Sequence, residues 1–164
     1  MQKLLLTGVV LLLLAGSVIA ADLPMAPNGI SLYPDYISWK VIAPSYREDR
    51  GQIRIITGNE IAVAALRAGK KPLPDGSVLA KVAWKAEKNP AFPVATEPTT
   101  FAQVEFMVKD AAKYKDTGGW GFARFVGSEL KPYGKDAGFV SECFGCHTPV
   151  AGNDYLFTKI VKTP

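Results

Sequence analysis

The stretch FAQVEFMVKD, from Phe101 to Asp110, decides the fold class of this chain. Its apolar residues Val104, Phe106 and Val108 alternate with Glu105, Met107 and Lys109. A period of two is typical of a β-strand, because successive side chains point to opposite faces of a sheet. The stretch therefore predicts a strand.

Other segments repeat this pattern. Three further strands are predicted at IRII (Ile53–Ile56), VLAKVAWK (Val78–Lys85) and WGFARFVG (Trp120–Gly127). For YISWKVIA, Tyr36–Ala43, periodicity does not decide between helix and strand. Thr57–Glu60 fits a capping box and predicts a short helix that stops at Gly69. The segments together predict a mainly β (α+β) fold, an antiparallel sheet with a few short helices in a single domain.

The N-terminus has the layout of a secretory signal peptide. Lys3 precedes an apolar run, and small residues follow at Ala20 and Ala21. The alternative is an uncleaved anchor, but the run is shorter than the roughly 20 residues that a spanning helix needs. We expect residues 1–20 to be a cleaved signal peptide and residues 21–164 to form one exported domain without membrane attachment.

The charge distribution excludes one class of partner. The 164 residues carry a net charge of +4, which falls to +3 without Lys3. Lysine and arginine are scattered among acidic residues and form no basic run or aromatic-interleaved patch. We therefore expect no nucleic-acid partner.

The segment SECFGCHTPV, Ser141–Val150, contains both cysteines and the single histidine of the chain. In an oxidising compartment, two nearby thiols do not stay free by default. Cys-x-x-Cys-His is the attachment sequence of c-type haem, in which the thiols form thioethers and the histidine binds the iron. We predict covalent haem c (iron) on Cys143 and Cys146, with His147 as the metal ligand.

Two other uses of these residues are less well supported. A disulfide in a thioredoxin-like site would need a preceding strand and a following helix, which the sequence does not suggest here. A zinc site requires four ligands, and the chain has three soft ones.

The sixth position of the iron has few candidate ligands. His147 is used on one side, which leaves Met25 and Met107 in the exported chain. Met25 lies in an irregular lead-in, and Met107 lies in an apolar strand where a core role is expected. We expect a five-coordinate iron with an open distal face.

Several segments together resemble the cytochrome P460 family, which includes the β-sheet cytochromes c′-β. They are IRIITGNEIA, PDGSVLAKVAWK, QVEFMVKDAAKYKDTGGWGFARF, LKPYGKDAGF and CFGCHTPVAGNDYLFT, between about Tyr33 and Thr158. The resemblance implies a periplasmic homodimer with a mostly antiparallel sheet and with haem c on Cys143 and Cys146. It also implies that His147 is the proximal ligand.

The family resemblance implies one of two chemistries. Cytochromes P460 oxidise hydroxylamine and carry a lysine cross-linked to the haem, whereas cytochromes c′-β lack the link and bind nitric oxide in an apolar pocket. Lys81 is the candidate for the cross-link, because a mid-strand ammonium is costly to bury unless it is paired, neutralised or covalently used. The alternative is a lysine that reaches solvent from a sheet edge, as Lys85 would on the same side.

The distal side needs a proton acceptor if the protein is an enzyme. Glu105 interrupts an apolar strand and is our candidate, although a paired or solvent-facing carboxylate is the alternative. Arg54 and Arg124 interrupt strands in the same way; each could pair with a haem propionate, steer a ligand, or form a buried bridge to Glu105. Phe92, Phe101, Phe106, Phe122 and Phe125 could wall the haem or belong to the core.

We expect a periplasmic enzyme that oxidises hydroxylamine and passes electrons to an electron-accepting cytochrome. The alternative is a nitric-oxide-binding cytochrome c′-β without catalysis. An electron-transfer cytochrome is a third class and would require Met107 as the sixth ligand.

Overall fold

The computed structural model describes residues 23–161, which form a six-stranded antiparallel sheet with two short α-helices. The strands are β1 Lys40–Arg47, β2 Gln52–Gly58, β3 Val78–Asn89, β4 Phe92–Lys109, β5 Trp120–Val126 and β6 Lys131–Pro132. The helices are α1 Glu60–Arg67 and α2 Val140–His147. Short 3-10 segments lie at Pro34–Ser38, Glu48–Arg50, Lys115–Thr117, Ala137–Phe139 and Thr148–Asn153. Each strand pairs with the next along the chain, which confirms the predicted mainly β fold.

The predicted signal peptide, residues 1–20, lies outside the described residues. Between residues 23 and 161, no helix has the length and apolar character required to cross a membrane.

Strand β4 begins earlier than the alternation pattern predicts. It starts at Phe92 rather than Phe101, and its first half forms a long hairpin with the end of β3. Pro98 lies there opposite Ala86, at an irregularity of the register. Proline is tolerated at such a position because no regular ladder bond needs its missing N–H.

The predicted capping box at Thr57–Glu60 is wrong. Thr57 remains in β2, where it pairs with Ala80 of β3. Helix α1 instead begins after Asn59, whose side-chain oxygen accepts the backbone N–H of Ala62 at 3.0 Å. Sheet pairing therefore holds Thr57 in extended conformation, and the next good N-cap residue along the chain opens the helix.

Both faces of the sheet are covered. On one face, which we call the first core, Val104 and Phe106 of β4 pack with aromatic residues of the N-terminal segment, among them Tyr33. On the other face, the second core, Leu79 and Phe122 pack with α1 and the C-terminal segment. The side of β4 that carries Glu105 is thus not a solvated face.

Candidate functional site

Helix α2 presents the two cysteines and the histidine. Asp136 caps the 3-10 turn that leads into the helix, because its carboxylate accepts the Gly138 N–H at 2.8 Å. Residues three apart on a helix lie on one side of it, so Cys143 and Cys146 face the same way. Both thiols are free of disulfide bonds.

The imidazole of His147 is oriented by a backbone carbonyl. Its Nδ1 lies 2.7 Å from the Tyr155 carbonyl oxygen, which can only accept, so Nδ1 carries the proton. Nε2 is therefore the nitrogen available to a metal. The ring lies between Phe122, at 5.4 Å between centroids, and Phe157, at 5.0 Å. Burial lowers the pKa of His147, and the nearby Lys81 cation acts in the same direction, which favours the neutral, ligating form.

Three ionisable residues face the helix from neighbouring strands. Lys81 of β3 lies directly opposite Glu105 of β4, which in turn lies directly opposite Arg124 of β5. Arg124 Nε donates to Glu105 Oε1 at 2.7 Å, and Lys81 Nζ forms an ion pair with Glu105 Oε2. We call this set the charged row.

The two oxygens of Glu105 are bound by different cations. Oε1 accepts from Arg124, and the buried Oε2 is paired with Lys81 alone. Burial alone would raise the pKa of Glu105, but the cations Lys81 and Arg124 outweigh it and lower the pKa below its usual value. Glu105 is therefore ionised at neutral pH and keeps lone-pair capacity for another donor.

The charged row lies next to the helix that carries the cysteines. Burial raises the pKa of the Cys143 thiol, the Arg124 cation lowers it, and the Glu105 carboxylate raises it. Lys81 and Glu105 likewise act on the pKa of His147. The structure thus brings these three strand residues together with the motif, which lies far along the chain from Lys81.

Arg54 lies on the same face of the sheet but outside the charged row. It is two residues from Ile56, the β2 partner of Lys81, and its Nε donates to Ser45 Oγ at 3.1 Å. Burial lowers the pKa of Arg54, and the Glu105 carboxylate partly offsets this. The bridge to Glu105 considered for both arginines is made by Arg124 and not by Arg54.

The five phenylalanines have different positions. Phe122 packs against the His147 ring. Phe101, Phe106 and Phe125 pack in the first core on the opposite face, as the core alternative predicted. Phe92 is 61% exposed on the β3–β4 hairpin.

The two methionines also differ. Met25 is 57% exposed in the N-terminal segment. Met107 packs against the second core, two residues from Glu105 on the same side of β4.

Sequence reasoning missed the residue that holds His147. Tyr155 acts through its backbone carbonyl, and a carbonyl is common to every residue type, so no composition or spacing signal identifies it. The nearest signal was the position of NDYLF, Asn153–Phe157, shortly after the motif.

The residues present fit a covalently attached haem. Two thiols share one side of α2, His147 has its Nδ1 proton engaged, and the charged row contributes two cations and a carboxylate beside the motif. Within residues 23–161, no cluster of three His, Cys, Asp or Glu side chains is arranged to bind a bare metal ion.

Comparison with known proteins identifies the family. The family model for cytochrome P460 matches residues 33–158, which include every strand and both helices. No curated protein matches the chain. The chain belongs to the cytochrome P460 family, and haem c bound covalently is the defining cofactor of that family.

Proposed function

We propose that this protein is a periplasmic haem c enzyme that oxidises hydroxylamine. Cys143 and Cys146 would hold the haem, and His147 would bind its iron through Nε2. When bound, the haem supplies the redox-active iron that takes electrons from the substrate. The observation that carries the proposal is the buried Glu105 carboxylate, which is ionised, held between Lys81 and Arg124, and next to the motif.

Glu105 is suited to accept protons from a small N–OH compound. Oxidation of hydroxylamine releases protons together with electrons, so a carboxylate within reach of the N–OH group assists the reaction. Arg124 fixes one carboxylate oxygen at 2.7 Å, and Lys81 contacts the other, whose second lone pair would accept from the substrate. The guanidinium of Arg124 also lies 4.3 Å above the Tyr133 ring, which restricts its own motion.

Lys81 would set the basicity of Glu105. Its nitrogen contacts Glu105, so any change in its charge alters the basicity of that carboxylate. A lysine nitrogen bonded to the haem ring would no longer be an ammonium ion, and the pKa of Glu105 would then rise. A cross-link at Lys81 would therefore make Glu105 a stronger base.

The same contact supports a second candidate function. A lysine that stays ion-paired to Glu105 has its charge compensated without covalent chemistry. The protein would then be an unlinked, nitric-oxide-binding member of the cytochrome c′-β type. Hydroxylamine turnover distinguishes the two functions.

The proposal includes compartment and partners. The signal-like N-terminus supports export, and the family resemblance supports a homodimer that passes electrons to an electron-accepting cytochrome. Sedimentation of the purified protein tests the dimer.

The test uses holoprotein matured in a host that attaches haem c. Hydroxylamine-dependent reduction of an artificial electron acceptor, together with a proteolytic map in which the Lys81 peptide stays bound to haem, supports the enzyme. Tight nitric oxide binding without turnover and without that linkage supports the second function. A protein that matures without haem overturns both.

A further inference from the structure

A buried ion pair lies at the end of the sheet close to α2. Lys109, the last residue of β4, places its Nζ 2.7 Å from Asp154 Oδ1, and each side chain is 5% exposed. The same ammonium donates to the Gly118 carbonyl at 3.2 Å and lies 4.8 Å from the centre of the Trp120 ring. Nothing in the proposed reaction uses this pair.

The Asp154 carboxylate joins three parts of the chain. Oδ1 accepts the Trp120 indole N–H at 3.1 Å as well as the Lys109 ammonium, and Oδ2 accepts the Leu73 backbone N–H at 2.7 Å. These donors come from the start of β5, the end of β4 and the loop before β3. The carboxylate is thus held from several directions.

The backbone at Asp154 has an uncommon conformation. Asp154 has φ 53° and Tyr155 has φ 61°, so two consecutive non-glycine residues lie in the left-handed region. Such residues cost energy and persist only where the surroundings hold them. The three donors to the Asp154 carboxylate provide that hold.

This turn aims the carbonyl that binds His147. The Tyr155 carbonyl oxygen lies 2.7 Å from His147 Nδ1 and belongs to the second of the two left-handed residues. The Tyr155 ring packs 5.4 Å from Phe144 of α2, and it lies so close over Gly118 that any side chain there would overlap it. Gly118 is also the residue whose carbonyl binds Lys109, so one set of contacts fixes both the pair and the ring.

We propose that the Lys109–Asp154 pair is a positioning unit for the proximal histidine. It holds the left-handed turn at Asp154 and Tyr155, and this turn fixes the orientation of the His147 imidazole and its strength as a donor to iron. A carbonyl that accepts the Nδ1 proton raises the basicity of the ligating nitrogen. The inference rests on the proposed role of His147 as iron ligand.

A purely stabilising role would not require charges here. Replacing a buried ion pair by apolar residues of similar volume is often neutral or stabilising, whereas removal of one partner is costly. A buried pair is better suited to specifying one local arrangement. The arrangement that it specifies here leads directly to Nδ1 of His147.

The experiment measures the iron–histidine stretching band of the reduced holoprotein by resonance Raman spectroscopy. In Asp154→Ala we expect the band to move to lower wavenumber and the reduction potential to rise, because the Nδ1 hydrogen bond weakens. Asp154→Asn keeps the acceptor oxygen and a residue that tolerates the left-handed region, so it should fold and give a smaller shift in the same direction. Asp154→Asn therefore decides the outcome if Asp154→Ala does not mature.

A matched control separates positioning from stability. Ala62 is fully buried in α1 and takes no part in the hydrogen bonds of the pair, so Ala62→Gly should lower the melting temperature without moving the band. A wild-type protein without an iron–histidine band overturns the proposed five-coordinate iron with His147 as its ligand. A wild-type band that stays in place in every Asp154 variant that matures overturns the positioning proposal alone.

Discussion

Lys81 and Glu105 lie directly opposite each other on β3 and β4, and their side chains form an ion pair beside the helix that carries Cys143 and His147. Sequence reasoning assigned them separate roles, one as the cross-linking residue and one as the proton acceptor. Their contact makes the two roles interdependent, because the charge state of one sets the basicity of the other.

Replacement of Lys81 by leucine tests the cross-link. If Lys81 is bonded to the haem, Lys81→Leu should restore an ordinary c-type spectrum and should free the strand peptide from the haem in a proteolytic map. Lys85→Leu is the matched control, because Lys85 lies on the same side of β3 but is exposed. An unchanged spectrum in Lys81→Leu would move the cross-link elsewhere.

Replacement of Glu105 by glutamine tests the proton acceptor. Glutamine keeps the shape but cannot take up a proton, so kcat for hydroxylamine oxidation should fall by roughly 10²-fold or more. Glu97→Gln serves as control on the same strand, since Glu97 lies on the hairpin and accepts from Asn89. Equal rates in the Glu105 variant and the wild type would exclude the role.

The charged row predicts how stability depends on pH. The pKa of Glu105 is lowered in the folded state, so the ionised carboxylate stabilises the fold at pH values above its unfolded pKa. This stabilisation is lost as pH falls through the folded pKa. Glu105→Gln should lower the free energy of unfolding by about 1–3 kcal/mol at pH 7. Chemical denaturation between pH 3 and pH 7 should show this difference shrinking as pH falls; a constant difference would contradict the ionic origin.

The two sheet faces predict a contrast between two phenylalanines. Phe106 is 1% exposed in the first core, so Phe106→Ala should lower the free energy of unfolding by about 3–5 kcal/mol. Phe92 is 61% exposed, and Phe92→Ala should change the free energy of unfolding by no more than about 0.5 kcal/mol. Similar losses in both variants would show that the hairpin end is covered in solution.

The cap of α1 gives a further prediction. Asn59 accepts the N–H groups of Ala62 and Val78 at 3.0 and 3.1 Å, so Asn59→Ala should lower the free energy of unfolding by about 1–2 kcal/mol. The haem spectrum should stay unchanged, because neither contact reaches α2. Thr57→Val leaves the strand intact and should change the free energy of unfolding little. A larger loss of stability in Thr57→Val than in Asn59→Ala would show that Thr57 is the cap after all.

The amino-acid sequence by itself determined four of the six strands, β2 to β5, although only the second half of β4, and the haem attachment segment. Alternation over a few residues predicts a strand, and Cys143, Cys146 and His147 are neighbours in the chain whose spacing on a helical turn is a local property. Both depend only on residues within one or two turns, so they can be predicted without knowledge of distant contacts.

Only the tertiary structure decided which residues contact one another at the candidate site. Sheet register placed Arg124 rather than Arg54 against Glu105. Lys109 is buried because the second face of the sheet is covered, and alternation alone does not predict whether that face is covered. The carbonyl that holds His147 belongs to Tyr155 and has no residue-type signature. These relations join residues far apart in the chain, and their geometry follows from how strands and the C-terminal segment pack, which local sequence does not encode.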